Sequence, residues 1–103
     1  MIGKIYKIVS PSTCRFFIGS TSSTIENCFQ QHLKCYSDYL QYPYHFPILN
    51  SFEILKYNNA RIELIVAQTI KTSHQLHALE YEYVKKMDVN CIHNWNFIVP
   101  SQI

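Results

Sequence analysis

The sequence predicts a small α+β domain in which a three-stranded antiparallel sheet is flanked by about three helices. Two β-rich runs split by a polar break open the chain, three later stretches repeat apolar residues at helical spacing, and one more β-branched run lies between the last two of these. With 103 residues, 48% of them apolar and 16% charged, residues 1–103 are expected to form one domain around one core. A chain of this length buries roughly two thirds of the surface it exposes when unfolded, so it needs no disulfide or metal staple.

From Gly3 to Val9, Ile5, Lys7 and Val9 alternate with Tyr6 and Ile8, a pattern for a strand covered on much of both faces. Ser10, Pro11, Ser12 and Thr13 interrupt it, and Arg15 to Gly19 resumes the β character, giving a hairpin with a short polar loop. Ile25, Phe29, His32, Leu33 and Tyr36 then recur at spacings of three and four, which predicts an amphipathic helix. Its first turn is closed by Ser23 with Glu26 or by Thr24 with Asn27.

Two prolines and three aromatics between Gln41 and Pro47 stop that helix and suggest a packed connection. Ile48, Phe52, Leu55 and Tyr57 mark a second short helix, ended by Asn58 and Asn59, and Arg61 to Ala67 reads as a buried third strand. Thr72 and Ser73 precede a last helix whose apolar face holds Leu76, Leu79, Tyr83, Val84 and Met87. Beyond Asp88, the stretch Cys91 to Val99 has no helical period and is expected to return extended against the sheet.

Composition narrows the function classes. The longest apolar runs fall far short of the roughly 20 residues that span a bilayer, so no membrane partner is expected. Cys14, Cys28, Cys35 and Cys91 show no close pairing, and the first residues lack the blocks of a secretory signal, which points to reduced thiols inside the cell, in cytoplasm or nucleus. A net charge of +2 permits a nucleic-acid partner without demanding one. With only Arg15 and Arg61 as arginines, most backbone contacts would fall to lysine.

The order strand, strand, helix, helix, strand, helix, together with particular residues, resembles the GIY-YIG nuclease domain over almost the whole chain. Lys4-Ile5-Tyr6 stands where that family has GIY, and Phe17-Ile18-Gly19, followed by Ser20-Thr21, stands where it has YIG and a small polar pair. Cys28 to His32 resembles the segment in which an arginine is followed four residues later by histidine or tyrosine, with cysteine in the arginine's place. Leu79 to Val84 resembles the helix bearing the family's metal-binding glutamate, which maps to Glu80, and Asn90 to Asn94 resembles the closing segment. The ordered set carries the resemblance, since each tripeptide alone is common.

The resemblance implies phosphodiester hydrolysis with Tyr6, Phe17, Cys28, His32 and Glu80 at the catalytic positions, and with Mg or Mn on Glu80 if the domain is active. Such chemistry needs an activated water, neutralised charge on the phosphoryl oxygens and a stabilised leaving oxygen. Tyr6 keeps its phenol, whereas Phe17 keeps only the ring and cannot exchange a proton. The Cys28 thiol has neither fixed charge nor forked donors, and losing such a group typically costs about a thousandfold in rate. Arg15 or Lys34 could replace it only by reaching inward.

His32, on the helical face of Cys28, could offer zinc a second ligand, with Glu80 or His93 as a third, although their scattered spacing argues for packing roles. Lys4, Lys34, Lys85 and Lys86 are the candidate nucleic-acid contacts, though lysines at a helix C-terminus also suit the dipole. The expectation is therefore an impaired GIY-YIG-like domain that binds DNA weakly or contacts a protein. Its rivals are an active metal-dependent endonuclease with a non-standard site, and a homodimer formed through the aromatics of Tyr42 to Phe46. An unrelated α+β domain in which these residues merely pack is the further alternative.

Overall fold

A computed structural model describes residues 1–87 and 91–92. Its elements run β1 (Ile2–Val9), β2 (Phe16–Thr21), α1 (Ile25–Gln41), α2 (Phe52–Leu55), β3 (Arg61–Thr69), α3 (Ser73–Val84) and β4 (Cys91–Ile92). The sheet order is β3-β1-β2-β4. β1 is antiparallel to β2 and β3, while β4 runs parallel to β2 through the pairs Phe16↔Cys91 and Phe17↔Ile92. The sheet is thus four-stranded and mixed, not the three-stranded antiparallel sheet the sequence predicts. Cys91 and Ile92 are extended against the sheet, as expected of this stretch, but two residues are too few to show a period, so the sequence pattern does not count them as a strand. The expected extension of this segment through His93 to Val99 lies outside the described residues.

β1 is the central strand because both of its faces are apolar. Ile5 and Ile18 face α3, where they pack with Ile70, Leu76 and Val84. Tyr6, Ile8 and Phe17 face α1 and α2, where they pack with Phe52, Ile54 and Leu55. Opposed residues in an antiparallel pair share a face, so the pair Tyr6↔Gly19 belongs to the α1 side and Ile5↔Ser20 to the α3 side. These two assignments position everything that follows.

Two sequence expectations need correction. β3 is an outer strand rather than a buried one: it pairs only with β1, a register shift opposite Ile5 and Tyr6 interrupts the ladder, and Leu64 is 48% exposed. A run of apolar residues cannot distinguish a central strand from an edge strand with one covered face. The second helix is a single turn, with Ile48 71% exposed and Ile54 fully buried in its place. Residues 42–51, with Pro43 and Pro47 among them, form turns and irregular backbone, so the helix begins only at Phe52.

The caps resolve as sequence chemistry allows. The Thr24 hydroxyl accepts from the Asn27 amide at 3.1 Å, which selects the second of the two α1 starts. Thr72 accepts from Gln75 N at 3.2 Å, and the Gln75 side chain in return accepts from Lys71 N at 2.6 Å, a reciprocal closure of α3. Asn59 accepts from Ser10 Oγ at 2.5 Å and donates to Ser12 Oγ at 2.9 Å, tying the hairpin loop to the turn before β3.

The two glycines differ in what their missing side chains admit. A Cβ on Gly19 would stand 2.6 Å from Cζ of the Tyr6 ring and 2.9 Å from Cε1 of Phe17. A Cβ on Gly3 would stand 2.6 Å from Cδ1 and 3.1 Å from Cγ1 of Ile70 and 2.8 Å from Cδ1 of Leu76, aliphatic side chains with more rotatable bonds than the hydrogen-bonded Tyr6 ring. Gly19→Ala is therefore expected to destabilise by about 1–3 kcal/mol through overpacking, and Gly3→Ala by clearly less. Urea unfolding midpoints of the two variants check the order; equal losses would contradict this account of Gly19.

Candidate functional site

The site is built on the α1 face of the sheet. Tyr6 projects from the middle of β1 across Gly19, and its hydroxyl pairs with His32 Nε2 at 2.8 Å. His32 Nδ1 pairs in turn with Ser51 Oγ at 2.9 Å, immediately before α2. Both imidazole nitrogens are thus engaged, and a neutral ring can donate through one while accepting at the other. Tyr6 and Ser51 are buried, so three elements are joined by one continuous polar chain.

Burial sets the charge on this chain. It lowers the pKa of His32 below its ordinary 6.5, favouring neutral imidazole. Burial likewise drives the Tyr6 phenol far above its ordinary value, with the adjacent Cys28 thiol and the Glu80 charge adding to the effect. A phenol held protonated in this way is a poor base toward water.

Phe17 is 1% exposed, with its ring centroid 5.5 Å from that of His32 and 6.3 Å from that of Tyr6. It packs in the core at a point where a hydroxyl would need a buried partner. Cys28 is half-buried and borders two depressions. One is an open groove of about 410 Å³ walled by Thr21, Ser23, Asn27, Gln30 and Gln31; the other is an apolar niche of about 140 Å³ shared with His32, Cys35 and Leu49. Neither depression is lined by a Lys, Arg, Asp or Glu side chain.

Most of the candidate cations near this face are engaged elsewhere. Arg15 pairs with Glu53 at 3.4 Å and Lys34 with Asp38 at 3.0 Å, both on the surface. Lys85 pairs with Glu82 at 3.0 Å, and Lys86 lies 5.8 Å from the centroid of the Tyr83 ring. Lys4 is the exception: it stands opposite Thr21, and its Nζ donates to the Ser23 carbonyl at 3.0 Å, on the rim of the Cys28 groove.

Glu80 occupies the other face. Leu76, Glu80 and Val84 form the buried stripe of α3, and Glu80, 7% exposed, accepts a short hydrogen bond from Ser20 Oγ. It is not a solvated helix charge. The structure brings Tyr6, Phe17, Cys28 and His32 together, and it sets Glu80 across the sheet from them, close enough for its charge to act on Tyr6. A hydrated Mg or Mn ion keeps several waters and needs open coordination; a deeply buried carboxylate holding a serine hydroxyl does not fit that requirement. Among the described residues no group of three or more His, Cys, Asp or Glu side chains is placed to hold a metal, and His93 lies outside them. No helix among them is long and apolar enough to cross a membrane.

Sequence reasoning missed Ser51 and the partnership of Ser20 with Glu80. Ser51 gives no signal beyond standing before Phe52. The Glu80 burial was readable in the spacing of Leu76, Glu80 and Val84, which places all three on one helical face. Comparison with protein-family models, curated proteins and solved structures gives no match.

The charge state predicts a two-sided pH dependence of stability. As pH falls through 6.5, the unfolded chain takes up a proton at His32 that the folded chain resists, so stability drops on the acid side. As pH rises through 10.0, the unfolded chain releases the Tyr6 proton that the folded chain retains, so stability drops on the alkaline side. Unfolding midpoints across pH should therefore peak between these limits, and His32→Gln should flatten the acid limb. An acid limb unchanged in that variant would contradict the assignment.

Proposed function

We propose that this chain is a GIY-YIG-type domain that has lost phosphodiester cleavage and acts as a non-cleaving binding module with weak affinity for DNA. The observation that carries the reading is the groove at Cys28, where the arginine of the resembling family would reach a phosphate. Its walls are hydroxyls, amides and a thiol, and Lys4 on its rim is the nearby cation. One rim lysine supplies a single screened phosphate contact, which supports weak, salt-sensitive, sequence-independent binding. Behind the groove Tyr6 is bound to a neutral histidine, so the water-activating step lacks its base.

The second reading is an active metal-dependent endonuclease, and Glu80 favours it. A carboxylate stands at the position that holds the metal in the resembling family, and its charge is felt by Tyr6, although its burial against Ser20 would have to open before a hydrated ion could bind. Both readings are separated by nicking of supercoiled plasmid with Mg or Mn at high protein concentration. No cleavage above background is expected from wild type or Glu80→Ala. Cleavage by wild type that Glu80→Ala abolishes would overturn the proposal.

Cys28→Arg places a guanidinium at the groove and is expected to tighten binding of a short DNA duplex about tenfold, the effect of one charge-assisted contact. Fluorescence anisotropy at fixed salt measures it. Unchanged binding in a folded Cys28→Arg protein would remove the groove from the DNA path.

A further inference from the structure

The end of α1 and the connection that follows it to α2 have a property that the groove does not use. Leu40, Tyr42, Tyr44, Phe46 and Ile48, five large apolar side chains at alternate positions, are all exposed. Tyr44 is the extreme case at 98%. It is also rigidly presented: the His45 amide donates to the Tyr42 carbonyl at 3.0 Å, closing a β-turn with Pro43 in the second position and Tyr44 at the apex. The Tyr42 amide donates to the Asp38 carbonyl at 2.9 Å, anchoring that turn to the end of α1, and the Tyr42 ring packs against His45 and Phe46.

Beside this knob lies a hole. Cys35, Asp38, Phe46, Pro47 and Leu49 enclose a largely apolar cavity of about 190 Å³, large enough for a phenol ring. Its carboxylate is Asp38, whose Oδ2 accepts from Lys34 and which has a second oxygen able to take a hydroxyl donor. Residues 39–50 contain no Lys, Arg, Asp or Glu. An uncharged aromatic segment next to a carboxylate disfavours phosphate and suits a neutral ring with a hydroxyl.

We propose that this face is a self-complementary interface in which Tyr44 of one copy fills the Asp38–Leu49 cavity of a second copy and donates its hydroxyl to Asp38. Knob and hole a few residues apart on one surface are what a two-fold, isologous contact requires. The five exposed side chains present on the order of 600 Å² per copy, so a pair of copies that covered all of them would reach the roughly 1,000 Å² expected of a specific interface. The turn fixes the backbone at Tyr44 beforehand, which reduces the ordering cost of association. This inference is independent of the nuclease reading.

Sedimentation velocity of the full chain from micromolar to millimolar concentration tests it. Wild type is expected to pass from monomer to dimer. Tyr44→Ser, at a fully exposed position that the fold does not need, should weaken the dimer more than tenfold, and Tyr44→Phe, which keeps the ring, by about tenfold through loss of the hydrogen bond to a charged acceptor. A wild type that remains monomeric at millimolar concentration overturns the proposal and leaves the segment to a foreign protein. A dimer that Tyr44→Ser leaves intact also overturns it.

Discussion

A chain of hydrogen bonds from Tyr6 through His32 to Ser51 fixes how the α1 side of the molecule is assembled. Each member comes from a different element, and each has a polar atom beneath apolar cover. Leaving any one unpaired would cost about 1–3 kcal/mol, a large part of the stability of a small domain. The rest of that face is arranged around this need. Gly19 leaves the space that the Tyr6 ring occupies, Phe17 packs edge-on against His32, and the α2 turn brings Ser51 beneath α1.

The same chain governs the chemistry the cleft can do. A buried hydrogen-bonded network is most stable when neutral, and desolvation pushes His32 and Tyr6 to their neutral forms. Phosphoryl transfer asks for the opposite, a concentration of positive charge and a base ready to ionise. The groove at Cys28 has no charged side chain in its walls, Lys4 stands only at its rim, and Arg15 and Lys34 are held by surface carboxylates. On the far side of the sheet, Glu80 serves α3 packing through Ser20. The Tyr6–His32–Ser51 chain and the Ser20–Glu80 pair thus serve stability on opposite faces of the sheet.

Much of this was legible in the sequence, and the reasons for the remainder are physical. Strands β1 and β2 and helices α1 and α3 announce themselves through alternation, helical spacing and the caps Thr24 and Thr72. Periodicity reports which side chains share a face, but not how many strands lie beside a strand, so β3 reads as buried and β4 goes uncounted. The cluster of Tyr6, Phe17, Cys28 and His32 follows from hairpin register and helical spacing, whereas Ser51 reaches the site only through a loop conformation that composition does not encode. Glu80 could be placed on its face but not given its partner, because Ser20 comes from an element distant in sequence.

The charge of His32 is the decisive quantity, since a buried imidazolium beside Tyr6 and Cys28 would supply the very cation the cleft lacks. Its ring-nitrogen NMR shifts, followed from neutral pH down through 6.5, measure this directly. A single neutral tautomer that persists below that pH is the predicted result. An imidazolium signal at neutral pH would contradict the account of a neutral cleft.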